Sequence, residues 1–118
     1  MFTAYQVPFD SYYNRETQSF IGFCPRRELS LDCDRPEDIK KIVENFKSFV
    51  PVANFEVDDL EAVFVASNSP YNRDYYESVT TRLEPMQSVS CGDLIKDPSG
   101  DFYVVTSDGF SKIEEISQ

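Results

Sequence analysis

The stretch MQSVSCGDLI, residues 86–95, indicates how the C-terminal half of the chain is built. Small hydroxyl residues alternate with Val89 and Cys91, and this period of two predicts that both of these side chains face a core. Gly92 and Asp93 then interrupt the pattern, because glycine permits a positive φ and aspartate hydrogen-bonds backbone amides at a bend. The two aliphatic residues that end the stretch predict the start of a buried strand.

The residues after this bend predict an antiparallel hairpin. KDPSGD (96–101) is a turn signal, and FYVVTSDGF (102–110) is rich in aromatic and β-branched residues, as expected of a returning strand. Asp108 and Gly109 predict a second turn or bulge, after which SKIEEI (111–116) can pair once more. An exposed final strand could also pair with a second copy of the chain, which leaves a homodimer open.

Residues 35–49 carry the clearest helical pattern. Asp34 and Glu37 match a capping box, and Pro36 fits the first turn, where its missing N–H costs nothing. Apolar residues then recur at steps of three and four and form one stripe. The stripe consists of Ile39, Ile42, Val43, Phe46 and either Phe49 or Val50.

A second, shorter helix is predicted over residues 58–67. Asp58 and Glu61 match another capping box, although the AVFVA run inside this segment would also suit a buried strand. Residues 69–77 are polar and aromatic and indicate a loop. Residues 78–86 indicate a further strand, which a proline ends.

Two strands are predicted near the N-terminus. FTAYQVPF (2–9) alternates in the manner of a strand, and SFIGFCP (19–25) is short and mostly apolar. The length suits one domain, so residues 1–118 are expected to form a single unit. The expected fold class is α+β: a small, mainly antiparallel sheet, open or curled toward a barrel, packed by the helices at 35–49 and 58–67.

The chain is strongly acidic. Eleven Lys and Arg oppose 21 Asp and Glu, which gives a formal net charge of −10. Direct binding to nucleic acid or to an anionic membrane needs a basic patch and is not expected. The opening MFTAYQVPFD lacks the basic and apolar regions of a signal peptide, so the expected location is the cytoplasm. An acidic surface fits solubility, a basic protein partner, or mimicry of the charge of a nucleic acid.

The three cysteines do not indicate a metal or redox site. Cys24, Cys33 and Cys91 are an odd number without CxxC spacing, and the chain has no histidine. No metal and no cofactor are therefore expected, and the thiols are interpreted as small buried hydrophobes in a reducing compartment. Cys91 lacks a histidine base that would activate it, so no catalytic residue is assigned.

The bend at Gly92 and Asp93 does not match a phosphate-binding loop, which needs more glycines and a following helix. The carboxylate pairs of the chain lie in polar connections or at predicted helix starts, where capping and solvation explain them. We therefore do not expect an enzyme. A small ligand-binding or enzymatic domain stays open as an alternative, with a cleft beside Ser88, Ser90 and Asp93.

Two segments rich in tyrosine and arginine are the candidate partner-binding surface. These two residue types are enriched at protein interfaces. Loop tyrosines also cover the edges of a protein's own core, so both interpretations stay open. The candidates are Tyr12, Tyr13, Arg15, Tyr71, Arg73, Tyr75 and Tyr76.

LEAVFVASN (60–68), SVSCGDLI (88–95) and FYVVTSDGFSKI (102–113) form an ordered set of motifs in the C-terminal half. They resemble the segments L-E-x-V-F-x-x-x-N and S-L-S-V-G-D-V-I … Y-Y-V-x-S-x-G-F-x-x-I of the YodL-like family, whose members are small proteins of phages and bacterial mobile elements. The resemblance implies a fold signature without established catalytic residues, in an accessory protein that acts inside a bacterial host. In the last two motifs the matching residues are Ser88, Ser90, Gly92, Asp93, Tyr103, Val105, Ser107, Gly109, Phe110 and Ile113.

The expected function is that of a non-enzymatic interaction module that binds and diverts a host bacterial protein through its acidic surface and tyrosine-rich segments. One alternative is an anti-defence protein that mimics DNA, with its carboxylates on one exposed face. The candidates for that face are Glu28, Asp32, Asp34, Glu37 and Asp38. The others are the ligand-binding or enzymatic domain, which requires a pocket with converging polar groups, and a structural protein of a virion.

Overall fold

A computed structural model describes residues 1–68 and 73–117 of the chain. It contains helices together with a mainly antiparallel sheet, so the predicted α+β class is confirmed. In chain order the elements are β1 (Phe2–Gln6), α1 (Phe9–Tyr12), β2 (Tyr13–Asn14), β3 (Ser19–Phe20), α2 (Pro25–Glu28), α3 (Pro36–Glu44), a 3₁₀ turn (Phe46–Ser48), β4 (Val50–Phe55), α4 (Leu60–Asn68), α5 (Arg73–Val79), β5 (Thr80–Arg82), β6 (Leu94–Lys96), β7 (Asp101–Thr106) and β8 (Gly109–Ser117).

One six-stranded antiparallel sheet organises the fold. Its strand order is β5-β4-β1-β6-β7-β8, so the first strand lies inside the sheet and pairs with β4 and β6. β6, β7 and β8 pair in succession and form the predicted C-terminal meander. Within the described residues β5 and β8 are the two edges of the sheet, which is therefore open and does not close into a barrel.

Apolar cores lie on both faces of the sheet. Leu94 and Ile95 are consecutive in β6, so their side chains point to opposite faces, and both are fully buried. Leu94 packs in the core that contains Ile42 of α3, whereas Ile95 packs in the core that contains Val63 of α4. The sheet is thus the middle layer between α3 and the α4–α5 pair.

The helix predicted at 35–49 is present but shorter. α3 ends at Glu44, and the rest of the predicted segment forms the 3₁₀ turn and then enters β4. The predicted apolar stripe does face the core: Ile42 and Phe49 are buried, and the other three members are partly buried against the same cluster. The sequence pattern therefore predicted the packing face correctly and overestimated the helix length.

The cap of α3 differs from the predicted one. The sequence predicts Asp34 with Glu37, but the capping carboxylate belongs to Asp38, which accepts a hydrogen bond from the Arg35 N–H at 3.1 Å. The same carboxylate accepts the Ser30 N–H at 2.8 Å, so it also fixes the loop that precedes the helix.

The helix predicted at 58–67 is confirmed as α4. Its first turn is capped by the carboxylate of Asp59, which accepts a hydrogen bond from the Ala62 N–H at 2.8 Å. The sequence predicts Asp58 for this role, so the cap lies one residue later than expected. The alternative of a buried strand over this segment is wrong.

The sequence assigns residues 69–77 to a loop; residues 69–72 lie outside the described residues, and residues 73–77 belong to α5. The ring of Tyr76 packs edge-on against Phe55, with 6.5 Å between the ring centroids, and this tertiary contact stabilises a helix too short to form alone. The strand predicted at 78–86 is reduced to β5, because the chain leaves the sheet after Arg82.

The N-terminal region departs most from the sequence-based prediction. β1 covers only part of the strand predicted at 2–9, and α1 begins directly after Pro8. The strand predicted at 19–25 pairs only over two residues, as β3 with β2, and α2 begins at Pro25. The segment from α1 to β3 thus forms a small hairpin outside the main sheet.

Candidate functional site

An extended segment at residues 83–93, the strap, connects β5 to β6. It contains the first eight residues of the MQSVSCGDLI stretch, whose last two residues begin β6. Val89 is fully buried, as predicted, but Cys91 is exposed, so its predicted burial was wrong. The Asp93 N–H donates to the Ser90 carbonyl at 3.0 Å, and this turn directs Cys91 away from the core. Two-residue alternation does not hold over residues 83–91, because the chain exchanges backbone hydrogen bonds with β7 only from Gly92 and Asp93 onward, each at 2.9 Å from Val105.

Side chains supply the hydrogen bonds that neighbouring strands would otherwise give the strap. The Gln6 carboxamide donates to the Gln87 carbonyl at 2.9 Å and accepts from the Gln87 N–H at 3.2 Å. Asn68 donates to the Val89 carbonyl at 2.8 Å, and the Ser67 hydroxyl accepts from the Val89 N–H at 3.2 Å. The middle of the strap can lie outside the sheet because the backbone groups of Gln87 and Val89 are satisfied in this way, while its two ends bond the backbone of Val52 and Val105.

Gly92 and Asp93 form the bend that the sequence predicts. Gly92 has a φ of +92°, and a Cβ at this position would lie 3.2 Å from the Cβ of Pro25. One carboxylate oxygen of Asp93 accepts hydrogen bonds from the Ser90 N–H at 2.9 Å and from the Gln6 amide at 3.0 Å. The motif therefore acts as a structural clamp between the strap and β1.

The ionisation of Asp93 is perturbed by this environment. Although the residue keeps some exposed surface, burial raises the pKa of its carboxyl to about 7, against the opposing effects of the Ser90 N–H, the Gln6 amide and the charge of Arg26. A pKa near 7 suits a general acid or base. Asp93 lines neither of the two pockets described below, however, and its hydrogen bonds hold the strap. These observations favour a structural role over a catalytic one.

The remaining motif residues divide between the strap and the final hairpin. Ser88 lies in a pocket beside α5, whereas the Ser90 backbone belongs to the bend. Gly109 starts β8, and Phe110 pairs with Val105 and packs against the core on the α4 face. The sequence predicts a cleft beside Ser88, Ser90 and Asp93. Of these three residues, only Ser88 lines one of the two pockets.

Cys24 and Cys33 are buried, as the sequence predicts. Burial raises the pKa of the Cys33 thiol to about 11, and the neighbouring Cys91 and Asp38 add to the shift. A thiol with so high a pKa is a poor nucleophile at neutral pH. In residues 1–68 and 73–117, no three Cys, Asp or Glu side chains are arranged to hold a metal ion.

The first tyrosine-rich segment folds into the aromatic hairpin, which comprises residues 9–21 from α1 through β3. The rings of Phe9, Tyr12, Tyr13 and Phe20 contact one another, with centroid distances between 5.1 and 6.4 Å. Tilted and edge-on pairs predominate, as expected from the charge distribution of aromatic rings. The structure thus gathers two of the predicted candidates with two phenylalanines that the prediction omitted.

Local sequence explains the tight turn of the aromatic hairpin. The Asn14 side chain accepts hydrogen bonds from the N–H groups of Glu16 at 2.9 Å and Thr17 at 3.2 Å, which fixes the turn. Gly22 then packs on the backbone of Ser11, since a Cβ at Gly22 would lie 2.5 Å from the Ser11 carbonyl oxygen. A side chain at this position would push the hairpin away from the next segment.

Two arginines lie against the rings of the aromatic hairpin. The guanidinium carbon of Arg27 lies 3.8 Å from the centroid of the Phe20 ring, and that of Arg15 lies 4.9 Å from the centroid of Phe9. Despite these contacts Phe20 is 46% exposed and Ile21 is 61% exposed. Exposed aromatic, aliphatic and arginine side chains on one surface are the composition of an interaction hot spot.

A pocket of about 420 Å³ adjoins the aromatic hairpin. Phe20, Ile21 and Phe23 line one side of it, but its exposed lining is more polar than apolar, with Arg27, Glu28 and Asn45 among the lining residues. Its volume is within the range of about 300–1,000 Å³ that is typical of small-molecule sites, although it is an open depression on the surface.

The second tyrosine-rich segment forms a different surface. Arg73, Tyr75 and Tyr76 lie on α5, which contacts α4 and β5, while Tyr71 lies outside the described residues. Tyr76 is half-buried and directs its hydroxyl to the sulfur of Met86 at 3.7 Å, so it covers the protein's own core. The described candidates therefore lie in two separate segments, the aromatic hairpin and α5.

The carboxylates predicted for a DNA mimic do not all lie on the surface. Asp38 is only 3% exposed, and burial alone would raise its pKa, but hydrogen bonds from Ser30 and Arg35 outweigh burial and lower it. The Glu28 carboxylate accepts the Cys24 N–H at 2.9 Å and so serves α2. The prediction of an exposed five-carboxylate face is wrong for Asp38.

Sequence reasoning missed Phe9, Phe20, Ile21 and Arg27 as members of the candidate surface. The sequence predicts Phe20 and Ile21 to lie in a buried strand, because apolar runs of this length are usually buried. Two features of the sequence indicate that a long strand does not form here. One is the turn at Asn14, and the other is the pair Gly22 and Pro25, which follow Phe20 within five residues.

No protein-family model, curated protein or solved structure matches the chain. The resemblance of residues 60–68 and 88–113 to the YodL-like family therefore stays a prediction. Among the helices of the described residues, none is long and apolar enough to cross a bilayer. The candidate site accordingly depends on geometry alone, and the aromatic hairpin is its best-defined part.

Proposed function

We propose that the protein is a non-enzymatic interaction module that binds a protein partner through the aromatic hairpin. The observation that carries the proposal is the exposure of Phe20 and Ile21 side by side on the aromatic hairpin, at the edge of a pocket that both residues line. Single exposed apolar residues are common on monomers, but a contiguous group of them with arginines marks an interaction surface.

The rings of the aromatic hairpin are also preorganised for binding. Phe9 and Phe20 each contact both Tyr12 and Tyr13, and each also has an arginine over its ring, so their positions are fixed before a partner arrives. Fixed side chains lose little conformational entropy when they become buried, which favours affinity. A partner would cover Phe20 and Ile21 with apolar side chains and place polar groups against Arg27 and Glu28 in the adjoining pocket.

The net charge indicates the chemistry of the partner around this contact. With a formal charge of −10, the chain attracts a basic protein over long distances and repels nucleic acid. We therefore propose a partner of net positive charge that meets the aromatic hairpin, where Arg15 and Arg27 lie, with apolar rather than basic side chains. The proposed setting is the cytoplasm of a bacterial host, where the chain acts as a phage or mobile-element accessory protein; its support is the resemblance of residues 60–68 and 88–113 to the YodL-like family.

A capture experiment with matched variants tests the proposal. The tagged wild-type chain, Ile21→Ser and Val65→Ser are each incubated with bacterial lysate, and the captured proteins are quantified. Val65 is an exposed apolar residue on α4, so Val65→Ser controls for a general loss of nonspecific apolar binding. We expect one reproducible partner that wild type and Val65→Ser retain and that Ile21→Ser depletes about tenfold or more. Equal capture by all three proteins, or no partner for the wild type, would count against the proposal.

A further inference from the structure

A second pocket, of about 460 Å³, lies between α4, α5, β5 and the strap. It is separate from the aromatic hairpin, and none of its lining residues lines the pocket beside the hairpin. Its volume is within the range of about 300–1,000 Å³ that is typical of small-molecule sites. The strap closes one side of it with Met86 and Ser88.

The pocket combines two arginines in a chain that has few cations. Arg73 and Arg82 both line it, although Lys and Arg together number only 11 against 21 acidic residues. One carboxylate, Glu77, also lines the pocket and accepts a hydrogen bond from Arg73 Nε at 3.1 Å. Arg82 forms no ion pair with any residue in the described part of the chain. A positive charge is thus left available for an anion.

Of the three hydroxyl-bearing residues that line the pocket, Ser67 is engaged by the Val89 N–H and the Asn68 amide, whereas Tyr76 and Ser88 have no strong acceptor in the described part of the chain. Tyr76 directs its O–H to the thioether of Met86 at 3.7 Å, and a thioether is a weak acceptor. Ser88 is exposed on the strap beside it. An anion with several oxygens would give both hydroxyls a stronger acceptor than they have in the free protein.

We propose that this pocket binds a small phosphate monoester. Arg82 and the free face of the Arg73 guanidinium would hold the phosphate, because planar guanidinium groups match its oxygens in pairs. Tyr76 and Ser88 would donate hydrogen bonds, and Met86 with the Tyr76 ring forms an apolar wall for the organic part. The Arg73–Glu77 pair is a surface pair between neighbouring helical turns, so it costs little to rearrange.

Titration of the full chain, followed through its amide NMR signals, tests this proposal. The probes are inorganic phosphate and phenyl phosphate, each against sodium chloride at equal ionic strength. We expect saturable shifts at Tyr76, Arg82 and Ser88 with both probes and a tighter Kd for phenyl phosphate. Arg82→Gln should raise that Kd about tenfold or more, since a charged hydrogen-bonding pair is lost.

The control variant is Lys47→Gln, which removes the same charge from an exposed site on the 3₁₀ turn. It should leave the Kd for phenyl phosphate unchanged, and both variants should keep the dispersed spectrum of a folded chain. Shifts no larger than those caused by sodium chloride would overturn the proposal. Equal loss of affinity in Arg82→Gln and Lys47→Gln would do the same, because it would mean general charge attraction. Equal affinity for the two probes would overturn the assignment of a monoester.

Discussion

The side chain of Gln6 pairs with both backbone polar groups of Gln87, with its amide nitrogen 2.9 Å from the Gln87 carbonyl oxygen and its carbonyl oxygen 3.2 Å from the Gln87 nitrogen. A single buried carboxamide thus replaces one rung of a β-ladder between residues 81 positions apart. The same amide also reaches Asp93 at 3.0 Å. Gln6 therefore links β1 to the strap at two points, the backbone of Gln87 and the carboxylate of Asp93.

Replacement of Gln6 by leucine should destabilise the fold, because the Gln87 backbone groups lose their partners. We expect a loss of roughly 1–3 kcal/mol in the free energy of unfolding, measured by urea titration. Gln87→Ala is the matched control: it keeps the backbone groups that Gln6 uses and should change stability by less than about 0.5 kcal/mol. If the two variants lost equal stability, Gln6 would not act through the Gln87 backbone.

Asp93→Asn should stabilise the protein at neutral and alkaline pH. The folded-state pKa of Asp93, about 7, lies above its ordinary value of 3.8, so the folded chain holds this proton more tightly than the unfolded chain does. The contribution of Asp93 to stability is thus greatest below pH 4, declines as the pH rises toward 7, and stays low above it. Asparagine can keep both hydrogen bonds, because both reach the same oxygen.

The measurement for Asp93 is the free energy of unfolding at pH 5 and at pH 8 for both proteins. The variant should gain roughly 2–4 kcal/mol over the wild type at pH 8, and less at pH 5. A variant that is less stable than the wild type at pH 8 would show that the ionised carboxylate stabilises the clamp.

Gly92→Ala should destabilise the bend for two reasons that act together. Alanine is strained at a φ of +92°, and its Cβ would approach Pro25 to 3.2 Å. We expect a loss of roughly 1–3 kcal/mol by thermal or chemical denaturation. Cys91→Ala, at the neighbouring exposed position, should be neutral. A neutral Gly92→Ala would mean that the bend relaxes without cost.

The three cysteines should differ sharply in reactivity toward a thiol reagent. Cys91 is exposed, whereas Cys24 and Cys33 are buried, and burial raises the pKa of Cys33 to about 11. In the native protein at pH 8, one thiol per chain should react quickly with a disulfide reagent, and Cys91→Ser should abolish that phase. Rapid reaction of a second thiol would contradict the burial described for the other two.

The C-terminal meander and the packing face of α3 were predictable because they depend on local signals. The turn residues around Gly100 and Gly109 and the helical spacing of Ile39, Ile42 and Val43 act over a few positions. The strap was not predictable, because its partners Gln6 and Asn68 lie 81 and 21 positions away from the groups that they bind. Strand-like alternation in the sequence gave no sign that side chains would replace a neighbouring strand.

The candidate site was predictable only in part for the same reason. Tyr12, Tyr13 and Arg15 could be selected by residue type, but the exposure of Phe20 and Ile21 follows from how β2 and β3 pair outside the main sheet. The exposure of Cys91 likewise follows from the turn at Ser90 and not from the alternation around it.

The affinity of the captured partner for three purified variants tests the central claim most directly. Calorimetric titration would compare the wild type with Ile21→Ser, in the aromatic hairpin, and with Val65→Ser, on α4. An interaction through the hairpin predicts that Ile21→Ser binds about tenfold more weakly or worse, while Val65→Ser stays within about twofold of the wild type. Equal affinities for wild type and Ile21→Ser, or a larger loss for Val65→Ser, would contradict the proposed function.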